Sequence, residues 1–347
     1  MNRFLGCLFV LLLTPALALA SQVGKITGLK GAAQIRGKNN IPYGPLKKGA
    51  AVSEGNWIKT GADGWVELTL DDKSRFTLAN NTEFEVTSFL LGKSRREGVF
   101  SLAHGKLRAS VVKLAGRQSG MTVRSGTAVA GIKGTEFLML SEGPANVFFG
   151  NQGTVAVSGD LKGPQQPLTA STMTQNTRGM TPVEPFKVEA GTPVAEARDI
   201  FEKITAAEPP AEWTDSGKIS DIIARWNINN GHYLADSGKY NDSLLVFQIA
   251  LDLTRIAEIR ADAHMERGAV YARFLNNPEL ALAEYLLVLE EYQQLPQAET
   301  ALFSAGQTLA EMGFADQACA RFNQYLKEYP NGKHRGNVET LLQNIGK

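Results

Sequence analysis

The sequence predicts two folded parts, an all-β unit followed by an all-α array of helical hairpins. Short runs of alternating apolar and polar residues fill residues 23–159, and helical spacing of apolar residues takes over beyond residue 193. Glycine then recurs at Gly231, Gly268 and Gly306, which lie 37 and 38 residues apart. A chain of 347 residues is long enough for two domains that each bury a core.

The β unit is predicted over residues 21–158. Val66, Leu68 and Leu70 share one face of an alternating run, and short clusters of Gly, Asn and Asp separate such runs. A turn is expected at His104 and Gly105, between two further runs. Many short strands favour a sandwich, a barrel or a β-solenoid over a parallel βαβ sheet, and these three architectures stay open.

A linker or irregular segment is predicted over residues 159–192, which are rich in Gly, Pro, Thr and Gln. Within it, residues 169–181 are expected to be an exposed flexible connection or an irregular excursion of the β unit. The helical part is predicted over residues 193–347, and its first helix over 193–207.

The first twenty residues predict a cleavable export signal. Arg3 provides a positive start, residues 5–20 are almost entirely apolar, and Ala18 and Ala20 give the small-x-small pattern of a cut after Ala20. The apolar run contains Pro15 and is shorter than the about twenty residues of a membrane span. We therefore expect a periplasmic or otherwise exported protein without a transmembrane span after cleavage.

The two parts carry opposite net charges. Residues 21–160 contain 18 Lys and Arg against 11 Asp and Glu, a net charge of +7, whereas residues 191–347 contain 14 against 22, a net charge of −8. This asymmetry favours two surfaces with different partners. For the basic β unit of an exported protein we expect an anionic envelope polymer or lipid head group, and no nucleic acid. The alternative is solvated lysines and arginines without a specific partner.

Two ordered motifs in the β unit resemble the FecR (ferric-citrate-regulator type) family. Residues 57–68 read WIKTGADGWVEL, similar to the family's apolar–x–Thr-Gly–x–x–Gly opening. Residues 127–137 read TAVAGIKGTEF, similar to its Arg-Gly-Thr-Glu-Phe segment, with Lys133 where the family usually has Arg. Ser125 and Gly126 stand where the family usually has Thr-Pro. The resemblance covers residues 23–158 and implies a periplasmic β module.

The same resemblance bears on function. Well-known FecR proteins relay an outer-membrane iron-uptake signal to a sigma factor, through a cytoplasmic N-terminal segment and one membrane span. We expect neither of these in this chain, so the resemblance implies the periplasmic module and not the whole relay.

The helical part resembles tetratricopeptide repeats in three successive units. Aromatic residues recur at Phe247, Tyr285 and Phe322, in step with the three glycines, and small residues recur at Ala281 and Ala318. We expect the small residues to let the two helices of each hairpin lie close together. The aromatic rings should fill the gap towards the next unit.

The first unit departs from this pattern. Ser243 occupies a small-residue position, and Asn227 and Asn230 are expected on the inner face. Residues 338–342 are expected to supply a capping helix after the third unit.

Repeat arrays of this kind present a concave surface to a peptide or a partner protein. Polar and acidic residues recur at the inward-facing positions of the first helices of the hairpins. The alternative is a solvated polar groove without a ligand. The predicted protein-binding groove comprises Asn229, His232, Asp236, Asp262, Glu266 and Gln307.

The sequence lacks a recognisable catalytic, metal or cofactor motif. Its four histidines are scattered, and His264 on its helix indicates packing or surface more than a metal ligand. Adjacent carboxylates such as Asp71 and Asp72 diverge instead of converging on a substrate, and they indicate a turn. Cys319, the one cysteine beyond the export signal, is expected to be a buried structural thiol.

Together these patterns predict a non-enzymatic periplasmic binding or scaffold protein. Its β unit would engage an envelope component, and its helical repeats would recruit a partner protein. The alternatives are a sensor or regulatory relay of envelope or outer-membrane transport signals, and an envelope hydrolase whose site is assembled from distant loops.

Overall fold

The computed structural model describes residues 22–38, 42–115, 118–160, 162–210, 214 and 217–345. The export signal predicted over residues 1–20 lies outside the described residues. None of the described helices is long and apolar enough to cross a lipid bilayer.

The described residues form a strand-rich part followed by a helical part, as the sequence predicts. The strands are β1 (Gln22–Lys30), β2 (Ala33–Arg36), β3 (Gly44–Pro45), β4 (Ala51–Ser53), β5 (Trp57–Thr60), β6 (Trp65–Leu70), β7 (Arg75–Leu78), β8 (Glu83–Leu91), β9 (Arg95–Ser110), β10 (Gln118–Arg124), β11 (Val129–Ile132), β12 (Glu136–Glu142), β13 (Ala145–Gln152), β14 (Thr154–Ser158), β15 (Gln166–Thr169), β16 (Thr172–Thr177) and β17 (Phe186–Lys187). The helices are α1 (Pro193–Ile204), α2 (Lys218–Asp236), α3 (Tyr240–Leu253), α4 (Ala257–Arg273), α5 (Pro278–Glu291), α6 (Gln297–Glu311), α7 (Ala315–Glu328) and α8 (Arg335–Ile345).

The strands form a two-sheet sandwich, one of the three architectures that the sequence left open. Sheet A has the order β4–β1–β6–β7–β9–β12–β13–β16–β17. Sheet B has the order β3–β2–β5–β8–β9–β10–β11–β14–β15. The β9–β10 pair is parallel, and the other described pairs are antiparallel. Phe76 of sheet A and Phe100 of sheet B meet in the core with ring centroids 4.5 Å apart.

One strand belongs to both sheets. β9 pairs with β8 and β10 in sheet B up to His104, and with β7 and β12 in sheet A from Gly105 onwards. The turn predicted at these two residues is wrong, because the strand continues through them. Gly105 has a φ of +107°, a conformation that few side chains tolerate, and this lets the strand pass from one sheet to the other.

Sheet A is buried on both faces along β12, β13 and β16. Phe137 and Phe148 point into the sandwich core, whereas their neighbours Leu138 and Phe149 pack against the helices. Phe149 meets Phe201 of α1 edge to face, with ring centroids 6.4 Å apart. At these strands the molecule is therefore layered as sheet B, sheet A and helices α1–α3.

The expected linker over residues 159–192 contributes three strands to the sheets. β15, β16 and β17 lie in this segment, and β16 pairs with β13 along five residues of sheet A. Thr174, Gln175, Asn176 and Thr177 are fully buried there. The flexible connection expected over residues 169–181 is wrong because these polar side chains find hydrogen-bond partners inside the fold, so their composition does not keep them in water.

The helical part forms three hairpins, α2/α3, α4/α5 and α6/α7, closed by the expected capping helix α8. A Cβ built at Gly268 would lie 2.4 Å from the Tyr285 ring, and the equivalent distances are 2.3 Å from Gly231 to Phe247 and 2.6 Å in the third hairpin. Only glycine permits this approach. The aromatic ring thus packs on the glycine of its own hairpin, in addition to filling space along the array.

The first hairpin departs from the repeat pattern because it packs on sheet A. Asn227 of α2 is fully buried and exchanges two hydrogen bonds with Gln175 of β16, at 2.6 and 3.1 Å. The expected placement of Asn227 on the inner face is therefore wrong. Ser243, at the small-residue position, donates a hydrogen bond to the Gly231 carbonyl at 2.8 Å.

Replacing Asn227 with alanine should destabilise the protein by about 1–3 kcal/mol, because it leaves the buried Gln175 amide without a partner. Chemical denaturation of the full chain measures this. Replacing both Asn227 and Gln175 with leucine should recover much of the loss, since the unpaired amide is then gone. Equal losses in the single and double variants would contradict a paired role.

Candidate functional site

The first helices of the three hairpins, α2, α4 and α6, line a concave groove with a defined cavity. The cavity has a volume of about 250 Å³. Its walls are residues of α2, α4 and α6, and two aromatic rings from the second helices of the hairpins form its floor. The lining consists of His232, Ala235, Asp236, Phe247, Met265, Glu266, Ala269, Val270, Arg273, Phe274, Tyr285, Thr300 and Ser304.

Three of the six predicted groove residues line this cavity, namely His232, Asp236 and Glu266. Asn229 and Gln307 are exposed but lie outside the cavity lining.

Asp262 also lies outside the cavity lining, and other side chains of the array bind its carboxylate. It accepts a hydrogen bond from Arg225 of α2 at 2.8 Å and another from Gln297 of α6 at 2.6 Å. Asp262 thus links three consecutive first helices, and its charge is largely neutralised.

Glu266 is the electrostatic centre of the cavity. Burial raises the pKa of its carboxyl, the neighbouring Asp262 raises it further, and His232 and Arg273 act in the opposite direction. Its one ion-pair contact among the described residues is His232 Nε2 at 3.2 Å, and the His232 side chain is half exposed. The carboxylate is therefore partly desolvated, with 27% of its side chain exposed, and no lysine or arginine lies within ion-pair distance of it among the described residues.

The aromatic floor of the cavity was expected only to pack. Phe247 and the largely buried Tyr285 lie against the glycines of their hairpins and face the groove as well. Burial raises the pKa of Tyr285 to about 12, so its hydroxyl stays neutral. Helical spacing from Glu266 predicts Ala269 and Arg273 on the same face, so periodicity alone could have found these two lining residues.

A second candidate site lies on the sandwich. Two adjoining cavities of about 340 and 310 Å³ share Lys113 and Gly134, and the TAVAGIKGTEF motif contributes residues 133–136 to them. The four exposed cations around the cavities, hereafter the basic face, are Lys73, Arg75, Lys113 and Lys133.

Acidic groups at the basic face are already paired. Burial alone would raise the pKa of Glu136, but hydrogen bonds from Ser110 and Arg108 hold it below its usual range. Beneath the surface, the fully buried Arg96 donates to Asp72 at 2.6 Å. Arg75 lies 4.0 Å from Glu67, whereas the positive charges of Lys73, Lys113 and Lys133 are left for solvent or a ligand.

The remaining titratable candidates are structural. His264 is buried and lies 2.7 Å from Glu284, which also accepts from Arg267 at 2.9 Å, so one carboxylate serves both side chains. Cys319 is half-buried and unpaired, whereas a buried thiol was expected. Within the described ranges, no group of three or more His, Cys, Asp or Glu side chains has the arrangement of a metal site.

A family model matches part of the β sandwich. Residues 56–156 match the family model described as FecR protein. None of the curated proteins compared with the chain matches it.

Among solved structures, a candidate anti-sigma factor from Parabacteroides distasonis is 17% identical over 41% of this chain and 63% of its own, with a TM-score of 0.32. The chain thus spans less than two thirds of that protein. The first TPR domain of human RPAP3 is 16% identical over 36% of this chain and 90% of its own, with a TM-score of 0.31. The Yersinia enterocolitica type III secretion chaperone SycD, in complex with a peptide of the translocator YopD, is 18% identical over 35% and 91%, with a TM-score of 0.31.

The family match lies inside the β sandwich and contains both motifs on which the resemblance was based. The hairpins carry the glycine–aromatic packing expected of tetratricopeptide units. Residues 56–156 of the β sandwich thus match the FecR family model, and an array of tetratricopeptide-like helical hairpins follows the sandwich.

Proposed function

We propose that this chain is an exported, non-enzymatic binding protein whose helical groove captures a segment of a partner protein. The observation that carries the proposal is the cavity in the concave groove, where a partly buried carboxylate, Glu266, shares the lining with two largely buried aromatic rings. Cavities with an apolar floor and a few converging polar groups are the usual form of a ligand site. Export is supported by the pattern of residues 1–20.

A non-enzymatic role is supported by the chemistry of the groove. Its lining offers two carboxylates, a histidine and an arginine, but no nucleophile is hydrogen-bonded to a base there among the described side chains. The buried His264, Glu284 and Arg267 cluster is closed to solvent by its own contacts.

We further propose that the basic face contacts an anionic component of the envelope. Lys73, Lys113 and Lys133 are exposed, and no carboxylate lies within ion-pair distance of them among the described residues. Each cation near an anionic surface contributes about 1 kcal/mol of attraction, so a cluster of them gives useful affinity.

A regulatory relay is the second candidate function, favoured by the FecR match. The helices pack directly on sheet A, so an event at the sandwich has a physical route to the groove. Crosslinking that recovers an inner-membrane protein at the groove would favour this relay over a scaffold.

Replacing Ala269 with tryptophan should abolish partner capture, because the larger side chain fills the cavity. The test compares crosslinked affinity purifications from native envelope, made with the wild-type and variant proteins. Ala283 is an exposed alanine on α5, and its replacement with tryptophan provides the matched control. Recovery of the same partners by the Ala269 variant would overturn the groove function.

Replacing Lys73, Lys113 and Lys133 together with glutamine should weaken binding to anionic vesicles roughly 100-fold, from about 1 kcal/mol per lysine. Co-sedimentation with phosphatidylglycerol vesicles measures this, and a soluble anionic polysaccharide forms a second arm that separates polymer from lipid binding. The control replaces Lys47 and Lys48, two exposed lysines on a turn away from the basic face. Equal effects of both sets would indicate unspecific charge attraction.

A further inference from the structure

We propose that the groove cavity binds the guanidinium group of an arginine from an extended segment of the partner. The inference rests on the proposed function and names the chemistry of the ligand. It starts from an imbalance in the cavity, where two carboxylates, Asp236 and Glu266, have no lysine or arginine within ion-pair distance among the described residues.

The charges around the cavity favour a cation. Asp236 is exposed at the end of α2, and Glu266 faces it from α4. Asp262 adds a third negative charge nearby, although Arg225 largely neutralises it. Arg273 is the one arginine in the lining, and it is exposed at the end of α4. A bound guanidinium would supply the missing counter-charge to the desolvated Glu266.

The hydrogen-bonding geometry of the cavity favours arginine over lysine. Phe247 is fully buried and Tyr285 is 5% exposed, so the rings in the floor present little free aromatic face. The preference rests on the planar guanidinium, whose N–H groups are arranged to donate to carboxylates. Glu266 can accept two parallel hydrogen bonds from one guanidinium, which an ammonium group cannot provide. Ala235 and Ala269 leave the space above the rings open.

The groove also makes the affinity depend on pH. Because the pKa of Glu266 is raised by burial, this carboxyl takes up a proton at a higher pH than an ordinary glutamate and then loses its attraction for a cation. The other titratable or charged groups facing it are His232 and Asp236 from α2, Asp262 and Arg273 from α4, and Tyr285 from α5. Acid therefore weakens arginine binding through protonation of Glu266.

The experiment uses the full chain and nine-residue glycine–serine peptides with one central arginine, lysine, citrulline or glutamate. Citrulline matches arginine in shape but lacks its charge. Binding is followed by NMR shifts up to millimolar peptide. We expect the arginine peptide to bind at least tenfold tighter than the citrulline peptide at neutral pH, and this preference to shrink as the pH falls.

Glu266→Gln should reduce the arginine preference to less than twofold, whereas Glu290→Gln, the same change on an exposed face of α5, should leave it intact. A thermal melt excludes unfolding as the cause. Because the raised pKa means that the charged Glu266 is less favourable in the folded chain than in the unfolded one, Glu266→Gln should keep or raise the melting temperature at neutral pH. This difference should vanish in acid, where the wild-type carboxyl is protonated.

Equal binding of the arginine and citrulline peptides, or no detectable binding of either, would overturn the arginine proposal. So would a preference that survives Glu266→Gln. Partner capture that is lost in Ala269→Trp but kept in Glu266→Gln would show that the groove works without the guanidinium contact. Capture unaffected by both variants would instead remove the groove function itself.

Discussion

The packing of helices α1–α3 on sheet A is the contact on which the rest of the molecule depends. Leu138, Leu140 and Phe149 would form a contiguous apolar surface if the helices were removed, and exposure of such a surface is strongly unfavourable in water. Apolar contact alone has little directionality. The buried amide pair of Gln175 and Asn227 fixes how α2 lies on sheet A, because its two hydrogen bonds form in one register only. The sandwich and the first hairpin therefore behave as one folded unit.

This anchoring carries through to the groove. α2 is fixed on the sheet and supplies one wall of the cavity, while α4 and α6 follow by nearest-neighbour packing of the hairpins. Tyr285 and Phe247 are held in place by glycines, so the floor of the cavity is rigid before any ligand arrives. Burial of the charged Glu266 carboxylate in this cavity lowers the free energy of unfolding. A loss of stability of this kind is typical of residues retained for binding.

The sequence predicted the order of the two parts and the three hairpins, because glycine–aromatic spacing and strand alternation are local signals. It misassigned residues 172–177, whose composition is that of a loop. Their partners lie far along the chain, 52 residues from Gln175 to Asn227 and 75 from Thr177 to Asp252, and no local pattern encodes such pairs.

A local signal for the covered sheet does exist, since Phe137–Leu138–Met139–Leu140 is an unbroken apolar run of the kind found in strands buried on both faces. Half of the predicted groove residues line the cavity. Asp262 does not, and its carboxylate is bound by Arg225. Arg225 is 37 residues away in sequence, so no local pattern could have predicted this contact.

The opposite charges of the two parts fall into two groups, those that pair with each other between the parts and those that stay unpaired. Some of these charges are used where the two halves meet, since Arg108 of the sandwich lies 2.9 Å from Glu202 of α1 and Arg178 lies 2.8 Å from Asp252 of α3. These arginines and carboxylates compensate one another and are not available to partners. Unpaired charge is also present at both candidate sites, with Lys73, Lys113 and Lys133 at the basic face and Asp236 and Glu266 at the groove. Because the sandwich and the first hairpin share a core, ligands of opposite charge at the two sites would be held in a fixed relation by a single folded protein.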